Sequence, residues 1–413
     1  MFDSYELPNP QFTEAEAKQL TLEHYGFTPV TIKPLGSFQD QNFRVTNSVG
    51  EAFVLRIENA AAQATALDLQ NKALAHIAAK DAAFPIQRLI PTVSGQTMPT
   101  TTRAGVTHFL RLLTYLPGDV LAKVNTRPAH LLESIGQVAG TFCLHLADFT
   151  HPAADRVLQW DLQVAQQVID GFIKYVAPER RSVIEHFRQR FVRHAEPLLP
   201  SLRRSIIHGD LTSYNLLVQR SAAGRHTVSG IVDFGDVLRS YTVGELVVAV
   251  AESIINSVPN ALPAAARTVK AFHQVFPLQE NELATLFHFM CLRMCVTACS
   301  SSQQLHLVPD NAYVAQLSQL DWLTLDRLKH IEPEVALATF RHACNFEPHP
   351  NAPRVRAWLK ENAAQLHPII NIAPDAPVLD LSAGAESLND GAWETAETHR
   401  ALLPSPVGKW AGG

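Results

Sequence analysis

Two stretches decide the fold of this chain: IIHGDLTSYNLLV at residues 206–218 and IVDFGD at residues 231–236. In the first, short apolar runs flank a polar turn, and in the second an apolar run ends at Asp233. Residues 206–207 predict a short buried strand, and residues 216–218 are expected to pair with residues 228–232 in a hairpin. The polar residues that can do chemistry therefore lie at the ends of predicted strands.

Three of these polar residues carry hard oxygen donors. Asp210 begins the polar loop, Asn215 ends it, and Asp233 directly follows the second strand. Mg²⁺ prefers such oxygens and is normally shared between one or two side chains and substrate phosphates. Phosphoryl transfer also needs a carboxylate to orient the attacking hydroxyl. The pattern predicts a metal–nucleotide site; the alternative is that both aspartates only cap turns or helices.

The order of these residues resembles a known family. His208-Gly209-Asp210, with Asn215 and the tetrapeptide DFGD at residues 233–236, resembles the aminoglycoside phosphotransferase and choline kinase superfamily, most closely its hydroxylysine kinase branch. There His-Gly-Asp replaces the His-Arg-Asp of protein kinases. The resemblance spans roughly residues 15–370. It implies an α+β, protein-kinase-like fold of two lobes: a small N-lobe with an antiparallel sheet and a larger, mainly helical C-lobe.

The resemblance also implies roles for these residues. Asp210 would position and deprotonate a substrate hydroxyl, with Asn215 as the second catalytic residue. Asn215 and Asp233 would bind Mg²⁺, Asp233 beside the nucleotide, and Asp236 would lie near the substrate. The phosphoryl donor would be ATP or GTP, and the acceptor a small amino alcohol or a hydroxylated amino acid of the hydroxylysine type. The alternatives are a choline, ethanolamine or aminoglycoside kinase, or a non-catalytic nucleotide-binding module.

The N-terminal part predicts one helix followed by antiparallel strands. Residues 14–25 are expected to form the helix, because Thr13 fits its N-cap and Gly26 fits its end. Strands are expected over residues 30–35, 42–46 and 52–57. The loop at residues 36–41 begins with Gly36-Ser37. By resemblance this loop covers the nucleotide phosphates, although its glycine also fits an ordinary turn.

Arg56 interrupts the apolar strand FVLRI at residues 53–57. A buried cation is costly unless it is paired. The resemblance places Arg56 where kinases carry the lysine that holds the phosphates, and a guanidinium can bind phosphate in a bidentate way. The alternative is an arginine on the solvent face of an edge strand. In a helix predicted over residues 67–79, Gln70 takes the place of the usual glutamate, so at best a hydrogen bond to Arg56 is expected.

The central part of the chain predicts a strand, a turn and then helices. Residues 109–118 form the strand and turn, and by resemblance the backbone around Leu113 meets the nucleotide base. Glu245, on an apolar predicted helix, would either meet a substrate amine or only cap and solvate its helix. Arg293 is the only ionised residue in the apolar run at residues 285–299. It either extends to solvent or receives an anion such as a substrate carboxylate.

The expected division is an N-lobe at residues 1–113, a C-lobe at residues 114–370 and a tail or linker at residues 371–413. The tail is rich in small and polar residues without periodicity. Its segment VLDLS at residues 378–382 resembles one that, in fused relatives, leads toward a class III, pyridoxal-phosphate-dependent aminotransferase. Fusion or association with such an enzyme is therefore expected among relatives.

Composition excludes several classes of partner. The 413 residues carry a formal net charge of −5, which argues against nucleic-acid binding. The N-terminus lacks the basic and apolar regions of a secretory signal, and no stretch has the roughly 20 uninterrupted apolar residues that span a membrane. The five cysteines show no paired zinc spacing; those at 291, 295 and 299 predict a buried stripe along one helix. A cytoplasmic enzyme without a membrane partner is expected.

Overall fold

The structure is a computed structural model that describes residues 8–37, 39–221, 224–255 and 261–366. The fold is α+β, as predicted: antiparallel strands dominate the N-terminal part and helices the C-terminal part. The chain divides into two compact units. Unit 1 comprises Met1–Val124, Phe142–Gln159 and Ser205–Ser240; unit 2 comprises Asn125–Thr141, Trp160–Arg204 and Tyr241–Gly413. The lobe boundary after residue 113 stays a prediction, and the tail with its VLDLS segment lies outside the described residues.

The first helix, α1, spans Glu14–Tyr25, with the predicted bounds. The Thr13 hydroxyl accepts a hydrogen bond from the backbone of Glu16, and the Glu16 carboxylate accepts one from the backbone of Thr13. This capping box satisfies two amides at the helix start. Gly26 ends the helix with a φ of 75°, a conformation that glycine adopts without steric cost.

Unit 1 is built on one antiparallel sheet. Its strands are β1 (Thr31–Leu35), β2 (Gln41–Thr46), β3 (Ala52–Ile57), β4 (Leu89–Ile90), β5 (Thr100–Arg103) and β6 (Val106–Thr114). They follow the order β1-β2-β3-β6-β4, with β5 also on β6. Alternate side chains of β2, β3 and β6 are buried against α1, so the period of two in the sequence fixes which face packs inward. The three predicted strands are confirmed to within one residue.

A helix and two small sheets complete unit 1. The helix α2 spans Ala64–Lys80, slightly longer than the predicted 67–79. The strands are β7 (Asp119–Val120), β8 (Arg204–Ile207), β9 (Leu216–Arg220), β10 (His226–Ile231) and β11 (Leu238–Tyr241). One sheet has the order β10-β9-β7, and the other pairs β11 with β8. The predicted hairpin is confirmed: Leu216 lies opposite Ile231 and Val218 opposite Val228.

Ten further α-helices lie in the described part of the chain. They are α3 (Ala129–Leu146), α4 (Ala165–Phe172), α5 (Arg181–His194), α6 (Val243–Val250), α7 (Ala261–Val275), α8 (Glu280–Leu307), α9 (Ala312–Leu328), α10 (Pro333–Ala343), α11 (Ala352–Glu361) and α12 (Ala363–Leu366). After α6 the chain continues as a π-helical turn, Ala251–Ile255.

The helices α3 and α7 approach closely where α3 carries two glycines. A Cβ at Gly136 would collide with the carbonyl oxygen of Thr268, and one at Gly140 would lie 2.9 Å from the carbonyl oxygen of Phe272. The Thr268 hydroxyl also donates a 3.0 Å hydrogen bond to the carbonyl of Leu132. The missing side chains therefore let the two backbones pack directly against each other.

The helix α8 forms the centre of unit 2. Among the described residues it alone is long and apolar enough to cross a membrane, but 89% of its most apolar window is buried inside the structure, as in a core helix. Its cysteines at 291, 295 and 299 are all buried, as predicted. Burial raises the pKa of all three thiols, that of Cys299 to about 12.

Candidate active site

Asp210 and Asn215 are joined within the loop between β8 and β9. The side-chain amide of Asn215 donates to Asp210 Oδ2 at 2.7 Å and to the Asp210 carbonyl oxygen at 2.8 Å. Asn215 is buried, whereas Asp210 is partly exposed. The buried amide therefore sets the direction of a carboxylate that solvent can reach.

Gly209 is required by the shape of this loop. Its φ is 80°, and a Cβ there would lie 2.6 Å from the carbonyl oxygen of Asp236 and 2.7 Å from a methyl carbon of Leu238. A side chain would strain the backbone and displace the turn that follows Asp233. The glycine of the His-Gly-Asp motif thus brings two parts of the site together.

His208 connects the same two loops. Its ring is fully buried between Phe142 and Phe234, with ring centroids 5.7 and 5.1 Å away. Burial lowers the pKa of His208 to about 4, so the imidazole is neutral near pH 7. Nε2 lies 3.1 Å from the carbonyl oxygen of Val232, and Nδ1 accepts from the Asp210 amide at 3.4 Å. These partners assign the ring proton to Nε2.

Asp233 is held in an unusual backbone conformation. Its φ and ψ are 61° and 79°, in the left-handed region that non-glycine residues seldom adopt. The Gly235 amide donates to Oδ1 at 3.3 Å, and Arg56 Nη1 donates to the same oxygen at 3.2 Å. The side chain is 51% exposed. Partial desolvation of the carboxylate opposes ionisation, but the charge of Arg56 and these hydrogen bonds lower the pKa of Asp233 below its ordinary value.

Arg56 lies among three carboxylates. Asp40 Oδ2 accepts from Nη2 at 2.5 Å and from Nε at 3.1 Å, Glu58 Oε1 lies 3.3 Å from Nε, and Asp233 binds Nη1. Burial would lower the pKa of Arg56, yet the three carboxylates raise it well above its ordinary value. The side chain is only 14% exposed, and β3 lies inside the sheet. The alternative of a solvent-facing arginine on an edge strand is therefore wrong.

Gln70 does not take the predicted place beside Arg56. Its side-chain oxygen accepts from Arg111 Nη2 at 2.8 Å. Arg111 Nε donates to Glu58 Oε1 at 2.7 Å, and Nη1 donates to Asn71 Oδ1 at 3.1 Å. The helix α2 thus meets the buried Arg111, and the expected hydrogen bond between Gln70 and Arg56 is replaced by this contact.

The loop at residues 36–41 is tied to the sheet through Asp40. Asp40 Oδ1 accepts from the Asn59 amide at 2.8 Å, and the Asp40 amide donates to Ser37 Oγ at 3.3 Å. Gly36 and Ser37 are exposed. A Cβ at Gly36 would meet nothing within 4 Å, so this glycine is not required by packing. Contacts of Gly36 and Ser37 with phosphates stay predictions.

The backbone of Leu113 is already engaged in the sheet. On one side of β6, Leu112 and Leu113 pair with Leu55 and Val54 of β3; on the other they pair with Ile90 and Leu89 of β4. The next two amides, of Thr114 and Tyr115, donate to the carbonyls of Arg88 and Ala52. This pairing counts against a base contact at Leu113, which stays a prediction.

The predicted substrate residues lie in different parts of the chain. Asp236 is in the turn that follows Asp233 in unit 1, while Glu245 and Arg293 are on α6 and α8 of unit 2. Glu245 is 0% exposed, so it does not solvate its helix. Arg293 is 2% exposed and does not extend outward: Nη1 donates to the Trp160 carbonyl at 2.9 Å, and the guanidinium carbon lies 4.9 Å from the Trp160 ring centroid.

Sequence reasoning missed Asp40, Glu58 and Arg111. Arg111 interrupts the apolar strand FLRLL just as Arg56 interrupts FVLRI. Two cations in neighbouring apolar strands signal a shared buried acid, because an unpaired buried cation is costly. Which acid they share depends on the pairing of β3 with β6, where Arg56 lies opposite Arg111.

Asn215 and Asp233 are suited to hold a divalent ion. The amide of Val232 donates to the Asn215 carbonyl at 3.0 Å, which places Asp233 next to Asn215 at the end of the hairpin. No cluster of three or more His, Cys, Asp or Glu side chains forms a metal site within the described ranges. One half-exposed carboxylate and one amide oxygen instead suit Mg²⁺, which takes further ligands from phosphates and water.

The fold and this site define a small-molecule kinase, a phosphotransferase that acts on an alcohol group. The model of the phosphotransferase enzyme family (APH) matches residues 31–280, more than half of the chain. The chain therefore belongs to this family.

The curated relatives are named hydroxylysine kinase. One from Danio rerio is 28% identical over 351 residues, covering 82% of this chain and 97% of the relative. Another from Mus musculus is 30% identical over 342 residues, covering 77% of this chain and 90% of the relative. Among solved structures, an amicoumacin kinase in complex with AMP-PNP and Ca²⁺ has a TM-score of 0.58 at 14% identity, covering 78% of this chain and 96% of its own. That structure supports the kinase-like fold.

Proposed function

We propose that this chain transfers the γ-phosphoryl group of ATP or GTP to the hydroxyl of a hydroxylysine-like amino acid. The observation that carries the proposal is the 2.7 Å hydrogen bond from Asn215 to the Asp210 carboxylate. A fixed, solvent-accessible carboxylate is what an attacking hydroxyl needs. The hydroxylysine kinases to which the chain is 28–30% identical support the acceptor class.

In the proposed reaction Asp210 acts as the base. It accepts the proton of the acceptor hydroxyl while that oxygen forms a bond to the γ-phosphorus, and the bond from the γ-phosphorus to the β,γ-bridging oxygen breaks. Asn215 holds the carboxylate, and the neutral ring of His208 keeps the loop in register with Asp233. The products are a phosphorylated amino acid and the nucleoside diphosphate. Because little covalent chemistry is required, catalysis depends on positioning and charge.

The nucleotide end of the site is proposed from charge. Arg56 would bind the phosphates, and Asn215 and Asp233 would hold Mg²⁺. When bound, Mg²⁺ would neutralise charge on the β- and γ-phosphates. The lowered pKa of Asp233 keeps its carboxylate ionised and ready for a cation over the whole neutral range. The loop with Gly36 and Ser37 would cover the phosphates.

The acceptor end is proposed from two buried charged residues. Glu245 suits a substrate ammonium and Arg293 suits a substrate carboxylate, and Asp236 is a further candidate beside the hydroxyl. An amino acid carries both charges, whereas choline and ethanolamine carry only the cation. This complementarity favours a hydroxylated amino acid over choline-type and aminoglycoside acceptors.

The contrasting proposal is a nucleotide-binding module without catalysis. The intact contact between Asp210 and Asn215 favours an enzyme, because a module that only binds nucleotide has no need of an oriented base. We further propose that the enzyme works in the cytoplasm without nucleic-acid or membrane partners. Association with a pyridoxal-phosphate enzyme stays a prediction that concerns its relatives.

A panel of hydroxylated amines and amino acids, assayed with ATP and with GTP, tests the proposal. Asp210→Ala should lower kcat by at least about 10³-fold on the best acceptor, because it removes both the base and the group that orients the hydroxyl. Nucleotide affinity, measured by titration calorimetry with AMP-PNP or GMP-PNP and Mg²⁺, should stay within about threefold.

Asp170→Asn is the matched control, because Asp170 is an exposed helix residue paired with Arg188. It should keep wild-type rates. If the wild type binds nucleotide but phosphorylates no acceptor of the panel above the background rate, which Asp210→Ala then shares, the non-catalytic module is favoured.

A further inference from the structure

We infer that Asp40 and Glu58 hold Arg56 in place for the nucleotide, with Arg111 behind them, and that the helix α2 does not supply this anchor. The inference rests on the proposed function only in assigning phosphate binding to Arg56. It names three positioning residues, Asp40, Glu58 and Arg111, that the family motifs do not include.

The guanidinium of Arg56 is held along one edge. Asp40 and Glu58 both contact the edge formed by Nε and Nη2 of Arg56, whereas Nη1 points to the half-exposed Asp233. The side chains of Asp40 and Glu58 are 11% and 3% exposed. One edge of the guanidinium is therefore fixed by buried carboxylates, and the opposite side meets the candidate metal ligand. A planar guanidinium held along one edge is restricted in rotation.

Glu58 is itself held in place by Arg111. The same oxygen, Glu58 Oε1, lies 3.3 Å from Arg56 Nε and accepts from Arg111 Nε at 2.7 Å. Arg111 is 1% exposed, and burial lowers its pKa while the carboxylate of Glu58 opposes that shift. A single buried carboxylate thus bridges two guanidinium groups from adjacent strands. Replacing one partner would leave a charge buried without compensation.

The helix α2 contacts Arg111. This helix reaches the network through two amides, because Gln70 and Asn71 accept from the two terminal nitrogens of Arg111. Neither amide carries a charge that could hold Arg56. A shift of α2 would act first on Arg111 and would reach Arg56 through Glu58. The two carboxylates that hold one edge of Arg56 therefore come from the residues that flank β2 and β3, and α2 does not supply them.

Asp40 also connects Arg56 to the loop at residues 36–41. Asp40 uses Oδ2 for Arg56 and Oδ1 for the amide of Asn59. The Asn59 side chain in turn donates to the carbonyl of Gln39 at 3.1 Å. One aspartate thus positions both the cation proposed for the phosphates and the loop predicted to cover them. Its loss should weaken nucleotide binding more than it weakens the fold.

Asp40→Asn tests the inference because it keeps the size of the side chain and removes its charge. Because Arg56 loses the charge that fixes one edge of its guanidinium, the Kd of Mg²⁺–AMP-PNP should rise about tenfold or more by titration calorimetry. The KM for the acceptor should stay near its wild-type value, whereas the thermal midpoint without ligand should fall, because Arg56 loses one of its buried charged partners. Asp68→Asn is the matched control, because this aspartate pairs with Lys72 and His151 away from Arg56; it should change none of these quantities.

Gln70→Glu provides a second, independent test. If α2 supplied the anchor, a glutamate there would strengthen nucleotide binding. We expect no gain in affinity, because this side chain meets Arg111. The inference is overturned if Asp40→Asn binds nucleotide as tightly as or more tightly than wild type, or if Gln70→Glu binds it more tightly. Failure of the wild-type protein to bind any nucleotide would instead refute the proposed function.

Discussion

At the scale of single residues, the loops of the candidate site depend on conformations and protonation states that few side chains provide. Gly209 has a φ of 80° where the carbonyl of Asp236 approaches, and Asp233 occupies the left-handed region without being glycine. Strain of this kind costs on the order of 1–3 kcal/mol and persists only where the surroundings enforce it. Here the contacts with Arg56 and the Gly235 amide enforce it.

His208 makes stability depend on pH. Its pKa in the folded chain is about 4, below the 6.5 of an ordinary histidine, so protonation favours the unfolded state. The neutral ring contributes fully above pH 6.5, and its contribution is lost as pH falls from 6.5 toward 4. Between pH 7.5 and pH 5 the loss from this group should be about 2 kcal/mol. Urea unfolding of wild type and His208→Gln at both pH values measures it, and the variant should show the smaller decrease.

His288 provides the comparison for this experiment. Burial also lowers its pKa to about 4, and it lies on α8, so His288→Gln should remove a separate share of the same pH dependence. An identical decrease in wild type and His208→Gln would contradict the assignment of a neutral buried ring.

Residue spacing along the chain predicted part of this site and missed another part. Asp210 and Asn215 are five residues apart in one loop, so their contact follows from local sequence. The partner of Gln70 is Arg111, 41 residues away, and depends on how strands pair and where α2 packs. Local patterns carry no information about such partners, which is why the predicted contact of Gln70 with Arg56 was wrong.

At the scale of elements, glycines decide how closely α3 approaches α7. Gly136 faces the backbone of Thr268 directly, and the Thr268 hydroxyl bonds to the Leu132 carbonyl one turn earlier in α3. In an isolated helix, glycine is worse than alanine by roughly 0.5–1 kcal/mol. The two helices tolerate that cost because it permits close backbone packing.

Replacing Gly136 with alanine should therefore destabilise the protein, although alanine is the better helix former. We expect a decrease in the free energy of unfolding of about 1–3 kcal/mol, because the new Cβ must push α7 away. Gly171→Ala in α4 is the control: a Cβ there would meet nothing within 4 Å, so this change should be neutral or stabilise by up to about 1 kcal/mol. Urea unfolding of both variants measures the difference, and equal stability would contradict the close packing.

Element boundaries were predictable where a local signal marks them. The capping residues Thr13 and Gly26 predicted both ends of α1, and the apolar run around Arg56 predicted the bounds of β3. Apolar periodicity likewise indicated that helices follow the central strand. Periodicity could not identify α7 as the partner of α3, because every helix with an apolar face shows a similar sequence pattern.

At the scale of the whole molecule, the residues proposed for the nucleotide and those proposed for the charged groups of the acceptor lie in different compact units. Arg56, Asn215 and Asp233 belong to unit 1, whereas Glu245 and Arg293 belong to unit 2. A ligand that binds one set of residues stabilises first the unit that carries them. The two substrates should therefore protect different parts of the chain from hydrogen exchange.

Hydrogen exchange followed by mass spectrometry measures this protection. Mg²⁺–AMP-PNP should slow exchange mainly in β3, the loop at residues 36–41 and residues 208–236, and removal of the metal with EDTA should reverse much of this protection. The phosphoryl acceptor should slow exchange mainly in α6 and α8. Protection of unit 2 by nucleotide alone, with none in unit 1, would contradict the proposed placement of the donor site.

The buried thiols have a practical consequence for such studies. All five cysteines of the sequence are buried, and thiol-directed dyes react with accessible thiolates. A single cysteine introduced at an exposed position, such as Val49 in the turn between β2 and β3, should take up one fluorophore while the native cysteines remain unlabelled. A fluorophore can thus be attached at one chosen site without first replacing the native cysteines.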